Sequence, residues 1–181
     1  MRLSKPRILP LSEQEWNEEQ RALLTRTRPA ESVLNVLRTL VRHTDLFKRW
    51  LPFGNQVLFH STLPPREREI VILRIGHLCK SGYEFHHHVA LGKREGLTDN
   101  DIQAIQQGAD AAHWGAFDRL LLVAVDELHQ DYFISDATWQ GLTQRYSTNQ
   151  IIDMVFAVGQ YTMVSMALNS LGVQLEDTKT P

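Results

Sequence analysis

From Ser12 to Gly172 the chain is punctuated by helix-start and helix-stop chemistry, and the apolar residues between those marks recur at three- and four-residue intervals. That pattern predicts an all-α fold, a bundle of about seven or eight helices, and leaves no convincing strand. Ser12 with Glu15 forms a capping-box pattern that opens a helix running to about Thr25. After Pro29, a stripe of Val33, Leu34, Val36, Leu37, Leu40 and Val41 reads as helical. Thr44 caps the next helix, which carries Leu46, Phe47 and Trp50 until Pro52 bends or breaks it. Pro64-Pro65 fixes the entry of a helix over about 66–80, with Ile70, Leu73 and His77 on its core side. Ser81-Gly82 interrupts it, and a second helix over about 83–95 ends at Gly96 as a left-handed cap. Thr98 with Asp101 starts a short helix that stops near Gly108, and another follows over about 115–130. Ser135 caps the next, and Ser147 or Thr148 caps a long helix over about 150–169 that Gly172 closes. The polar tail, 175–181, is expected to fray.

The 181 residues suit a single domain spanning 1–181 and are enough to bury a real core. With 43% hydrophobic and 22% charged residues the composition is that of a globular protein. A formal net charge of −2 supplies no general attraction to nucleic acid or to an anionic membrane. The longest apolar runs, such as 120–125, are far shorter than a membrane span, and the first residues lack the apolar core of a signal peptide. The single cysteine, Cys79, excludes an intramolecular disulfide and fits a reducing compartment, so the expected location is the cytoplasm.

One segment carries chemistry. Between Glu69 and His88 the chain reads Glu-x11-Ser-x2-Glu-x3-His, with Ser81 and Glu84 at the intermediate positions. At 100° per residue, Glu84 and His88 lie about 40° apart around a helix, close enough to share a proton. His87 lies about 60° to the other side of Glu84, and His86 is nearly opposite, so the three histidines are not one cluster. The same spacing is what a surface ion pair worth a few tenths of a kcal/mol would show. Glu69, His77, Glu84, His87 and His88 are also of the types that ligate zinc or iron, but no His-x3-His or Glu-x2-His pattern sets two ligands on one face. Neither a metal nor another cofactor is therefore expected. A lone Cys79 on an apolar helix reads as a small core residue, although Lys80 beside it would favour a thiolate. His43, His60, His113, His129 and the four tryptophans have no partner spacing that suggests chemistry.

The run Pro65-Arg-Glu-Arg-Glu-Ile-Val-Ile-Leu-Arg74, followed by Gly82-Tyr-Glu-Phe-His-His-His-Val-Ala-Leu-Gly-Lys-Arg-Glu-Gly-Leu97, resembles the carboxymuconolactone decarboxylase family, most strongly over about 63–105. That superfamily includes the alkylhydroperoxidase D type proteins, whose signature is Glu, then Cys-x2-Cys, then His four residues after the second Cys. Aligned on that signature, Glu69 takes the glutamate position, Ser81 the first cysteine, Glu84 the second cysteine and His88 the histidine. Peroxide reduction by that route needs two thiols, and here both positions bear oxygen. The resemblance thus implies the decarboxylase-like branch, with Glu69, Glu84 and His88 as catalytic residues. His88 would be proton donor or base, oriented by Glu84, and Arg74, Tyr83 and His87 are expected to contact the substrate, Arg74 (or Arg66) supplying a cation for an anionic group. It also implies a homotrimer or homohexamer.

Two function classes follow. One is a cofactor-independent lyase or related acid/base enzyme acting on a small carboxylated or lactone-type molecule. The other is an alkylhydroperoxidase-like antioxidant, or a non-catalytic binding protein, that keeps the fold after losing the dithiol site.

Overall fold

The computed structural model describes residues 1–26 and 28–176, so of the tail expected to fray only 175 and 176 are described. Nine α-helices form among the described residues, and no strand does. In chain order they are α1 Glu18–Leu24, α2 Asn35–Leu40, α3 Thr44–Phe59, α4 Pro65–Leu78, α5 Gly82–Arg94, α6 Asp99–Gln107, α7 Ala116–Asp131, α8 Asp136–Thr143 and α9 Thr148–Leu171. Eight of them have seven residues or more; α2, with six, forms within the apolar stripe read as helical after Pro29.

Most boundaries follow from the caps. Thr98 and Asp101, and likewise Ser147 and Gln150, form reciprocal capping boxes at α6 and α9. Gly96 and Gly172 take left-handed φ values of +95° and +72° just beyond α5 and α9. The N-terminal region departs from expectation. The Ser12–Glu15 box is present but opens only a 3-10 turn, Glu13–Glu15, and α1 starts afresh from a second box, Asn17 with Gln20. Pro52 does not end α3, which continues to Phe59. Phe47 on one side of the proline and Val57 on the other are both buried, and that packing offsets the roughly 3 kcal/mol an internal proline costs.

α4 is the hub. It packs against α5, α6, α7 and α9. Every residue from Glu69 to Gly76 is buried, which exceeds the single core stripe expected of it. Val71, Ile72 and Ile75 join Leu121, Val125, Met154 and Val158 in one cluster, while Ile70 and Leu73 meet Ile102, Ile105, Trp114 and Leu122 in another. Burial of each such side chain stabilises the fold by about 2 kcal/mol. A third cluster, built on Trp16, Leu37, Val41 and Phe47, seats the N-terminal helices.

The turn from α4 to α5 is made by Lys80, which takes φ +53°, one residue before the expected break. Further along α5, Gly92 sets the distance to α4. A Cβ there would meet Leu97 Cδ1 at 2.8 Å, Leu73 Cδ1 at 3.3 Å and Glu69 Cβ at 3.6 Å, so the glycine lets α5 settle against the turn that carries Glu69.

Candidate active site

α4 supplies Glu69, and α5 supplies Glu84 and His88 one turn apart. The three converge as the sequence predicts. His88 Nδ1 lies 2.7 Å from Glu69 Oε2, and His88 Nε2 lies 2.9 Å from Glu84 Oε1. The glutamate of α4 has no exposure at all, His88 has 5% of its side chain exposed and Glu84 10%. Glu84 is therefore the outermost group of the line. At the inner end Arg68 donates to Glu69 Oε1 through Nε at 3.2 Å and Nη2 at 3.1 Å. The Tyr161 ring of α9 stands edge-on to the imidazole, 4.9 Å between centroids at 87°.

Charge balance explains how carboxylates survive at this depth. Two buried anions are tolerated only with matching cations and hydrogen bonds; Arg68 and a protonated His88 provide both. Burial by itself pulls the His88 pKa down, but the hydrogen bonds and charges of Glu69 and Glu84 outweigh it and raise the value to about 9. At neutral pH the ring is an imidazolium that donates from both nitrogens. The Tyr161 hydroxyl is pushed well above its ordinary range, by burial first and then by the two glutamates, and stays neutral.

The residues expected to contact a substrate lie elsewhere. Arg74 is fully engaged: Nε and Nη2 hold Asp126 at 2.6 and 2.9 Å, and Nη1 donates to the carbonyls of Ile105 and Gln106. It clamps α4 to α7 and to the end of α6, using four of its five N–H donors. Arg66 is likewise bound to Asp118 and Asp101. The cation beside the glutamates is Arg68, which adjacency in sequence concealed because neighbours on a helix diverge by 100°. Tyr83 and His87 form a second cluster around Glu176. The tyrosine hydroxyl donates to Glu176 Oε1 at 2.6 Å, the His87 ring lies against Tyr83 at a tilt of 50°, and its Nε2 comes within 2.9 Å of Glu176 Oε2. Burial would raise the Glu176 pKa, but His87, Tyr83 and the Asn35 N–H together lower it to about 2. This cluster ties the segment after α9 to α2 and α5. His86 is exposed.

Among the described residues no three His, Cys, Asp or Glu side chains are grouped to hold a metal ion. In the line itself each ring nitrogen faces its own carboxylate, so His88 bridges the two glutamates instead of chelating with them. Cys79 ends α4, half-buried, its thiol pKa raised by burial against the opposing pull of Thr162 and Ser165. A thiol so placed is a weak nucleophile. Ser81, at the position of a first cysteine, is buried, and its Oγ has no hydrogen-bond partner among the described residues.

The model of the carboxymuconolactone decarboxylase family matches residues 44–126. No curated protein matches the sequence. Among solved structures, the chain resembles an alkylhydroperoxidase AhpD core, peroxidase-related protein from Ralstonia eutropha, with a TM-score of 0.80 and 15% identity over 94% of this chain and 93% of the other. A peroxidase-related protein from a Silicibacter species gives a TM-score of 0.73 at 16% identity over 97% and 91% of the two chains. A cysteine-to-alanine variant of the debrominase Bmp8 in complex with 2,3,4-tribromopyrrole gives 0.75 at 12% identity over 96% and 94%. At these identities the structural likeness speaks to fold: the chain has an alkylhydroperoxidase D-like helical fold, and from α3 to α7 its sequence is similar to the carboxymuconolactone decarboxylase family.

Proposed function

We propose that the protein is a cofactor-independent acid/base enzyme of carboxymuconolactone decarboxylase type, acting on a small carboxylated or lactone-type molecule. The observation that carries this reading is the continuous line Arg68, Glu69, His88, Glu84, which ends on a carboxylate where a dithiol enzyme would place a cysteine. Loss of CO₂ from a carboxylate leaves its bonding pair on carbon. That pair is delocalised onto a neighbouring carbonyl and then takes up a proton. His88 Nε2 passes its proton to the Glu84 carboxylate, the carboxyl so formed delivers it to the carbon, and the neutral ring regains a proton from water. Glu69, held by Arg68, keeps the imidazole oriented and favours its charged form.

The test is CO₂ release from a panel of small carboxylated lactones. Glu84→Gln keeps the shape of the site but removes the carboxylate that relays the proton, and activity falls about 10²- to 10⁴-fold with assembly and helical fold retained; His88→Ala falls comparably. Full turnover in both variants would overturn the reading. Cys79→Ser keeps lactone turnover. Peroxide-dependent activity abolished by Cys79→Ser alone would instead favour the thiol chemistry of an antioxidant protein.

A further inference from the structure

α9 is apolar on two opposite faces. One face, with Met154, Val158, Tyr161, Val164 and Leu168, is buried against the rest of the protein. The other presents Ile152, Phe156, Gly159, Met163 and Met166, spaced alternately four and three residues apart as in the seam of paired helices. All four large side chains of this seam are exposed. The one charged residue in the helix, Asp153, is engaged by the Thr62 backbone N–H and hydroxyl. Its length and composition would let α9 cross a membrane, yet half of its most apolar stretch is buried inside the protein. α3 widens the patch: Leu46 and Phe53 are exposed, and the Phe53 ring stands edge-on to Phe156 at 6.1 Å. A helix apolar all round is a helix covered all round.

We infer that a second copy of this chain covers this face, across a two-fold axis that crosses α9 at Gly159. The seam is symmetric about Gly159 to within one residue: Ile152 and Met166 lie seven residues to either side of it, Phe156 three before it and Met163 four after it. Antiparallel stacking of α9 on itself lays Ile152 against Met166 of the partner subunit, and Phe156 against Met163 of the partner subunit, which is the self-complementarity an isologous contact requires. The centre of the seam is the position without a side chain, and among the described residues nothing lies within 4 Å of where its Cβ would be. The two helices therefore approach closely at the crossing. A hollow of about 300 Å³ beside Gly159, bounded by Phe53, Phe156, Gln160 and Met163, receives a side chain from the facing helix.

Area agrees with this occupant. Leu46, Phe53, Ile152, Phe156, Met163 and Met166 are between 37% (Phe53) and 64% (Met166) exposed. At about 200 Å² for a whole side chain of this size they leave on the order of 600 Å² of apolar surface open. A stable interface buries about 800 Å² per partner, so this core needs only a polar rim to complete it. Tyr161, one face further round the same helix, touches His88, and the contact would brace the helix that backs the acid/base line.

The test combines mass and cross-linking on the full chain. Light scattering at tens of micromolar is expected to give an even-numbered assembly, and Phe156→Asp to halve its mass with helical circular dichroism unchanged. Gly159→Cys is expected to form a disulfide-linked dimer on mild oxidation, while Ile152→Cys, about 21 Å from its own symmetry mate by helix rise, and the wild type with Cys79 do not. A monomeric or odd-numbered wild type, an unchanged mass for Phe156→Asp, or equal cross-linking of the Ile152→Cys and Gly159→Cys variants would overturn the inference. So would Phe156→Asp abolishing co-flotation with anionic phospholipid vesicles while leaving the mass unchanged, which would assign the face to a membrane surface.

Discussion

Glu69 and Glu84 hold a proton on His88 that an isolated histidine would release near neutrality. The folded value of about 9 lies above the ordinary 6.5, so the ion contributes stability in full below about 6.5 and loses it as pH rises through 9. That difference corresponds to on the order of 3 kcal/mol. Urea midpoints are expected to fall between pH 7 and pH 10 in the wild type, and His88→Gln to flatten that slope; a wild-type midpoint constant over this range would show that the ring is neutral in the folded state. The Glu84–His88 pairing was legible in the sequence because spacing of four on a helix fixes relative direction. The depth of Glu69 was not, since burial on every side of α4 comes from four neighbouring helices that no local pattern encodes. Tyr161 was hidden for the same reason: it reaches His88 from a helix more than seventy residues away in sequence.

At the scale of elements, caps proved more informative than breakers. Thr98, Ser135, Ser147, Gly96 and Gly172 place helix ends within about two residues, because each satisfies backbone groups locally. Pro52 misleads because tertiary packing of Phe47 and Val57 overrides a local penalty. Arg74 misleads differently: a cation near a functional segment looks available until Asp126, far along the chain, is seen to claim it in a bidentate pair. Its role is to join α4 to α7. Arg74→Met is expected to leave Asp126 without its partner and cost about 3–5 kcal/mol, read as a fall in melting temperature with KM unchanged. A KM raised tenfold at unchanged melting temperature would return Arg74 to the substrate.

For the whole molecule, the all-α architecture followed from periodicity and capping, and the family resemblance from one run of residues that spans the α4–α5 hairpin. What sequence could not supply is which face of α9 meets the core and which is left for a partner, since both are apolar; only packing separates Tyr161 from Phe156. The fold brings its longest helix behind the line of Glu69, His88 and Glu84 and turns its second apolar face outward. The central claim is that His88 is a buried, doubly protonated proton donor between two carboxylates. Nitrogen-15 NMR of histidine-labelled protein, with His88→Gln to assign the signal, tests it most directly. The account predicts two protonated ring nitrogens at pH 7 and titration near 9, displaced downward by Glu69→Gln; one protonated and one bare nitrogen at pH 7 would contradict it.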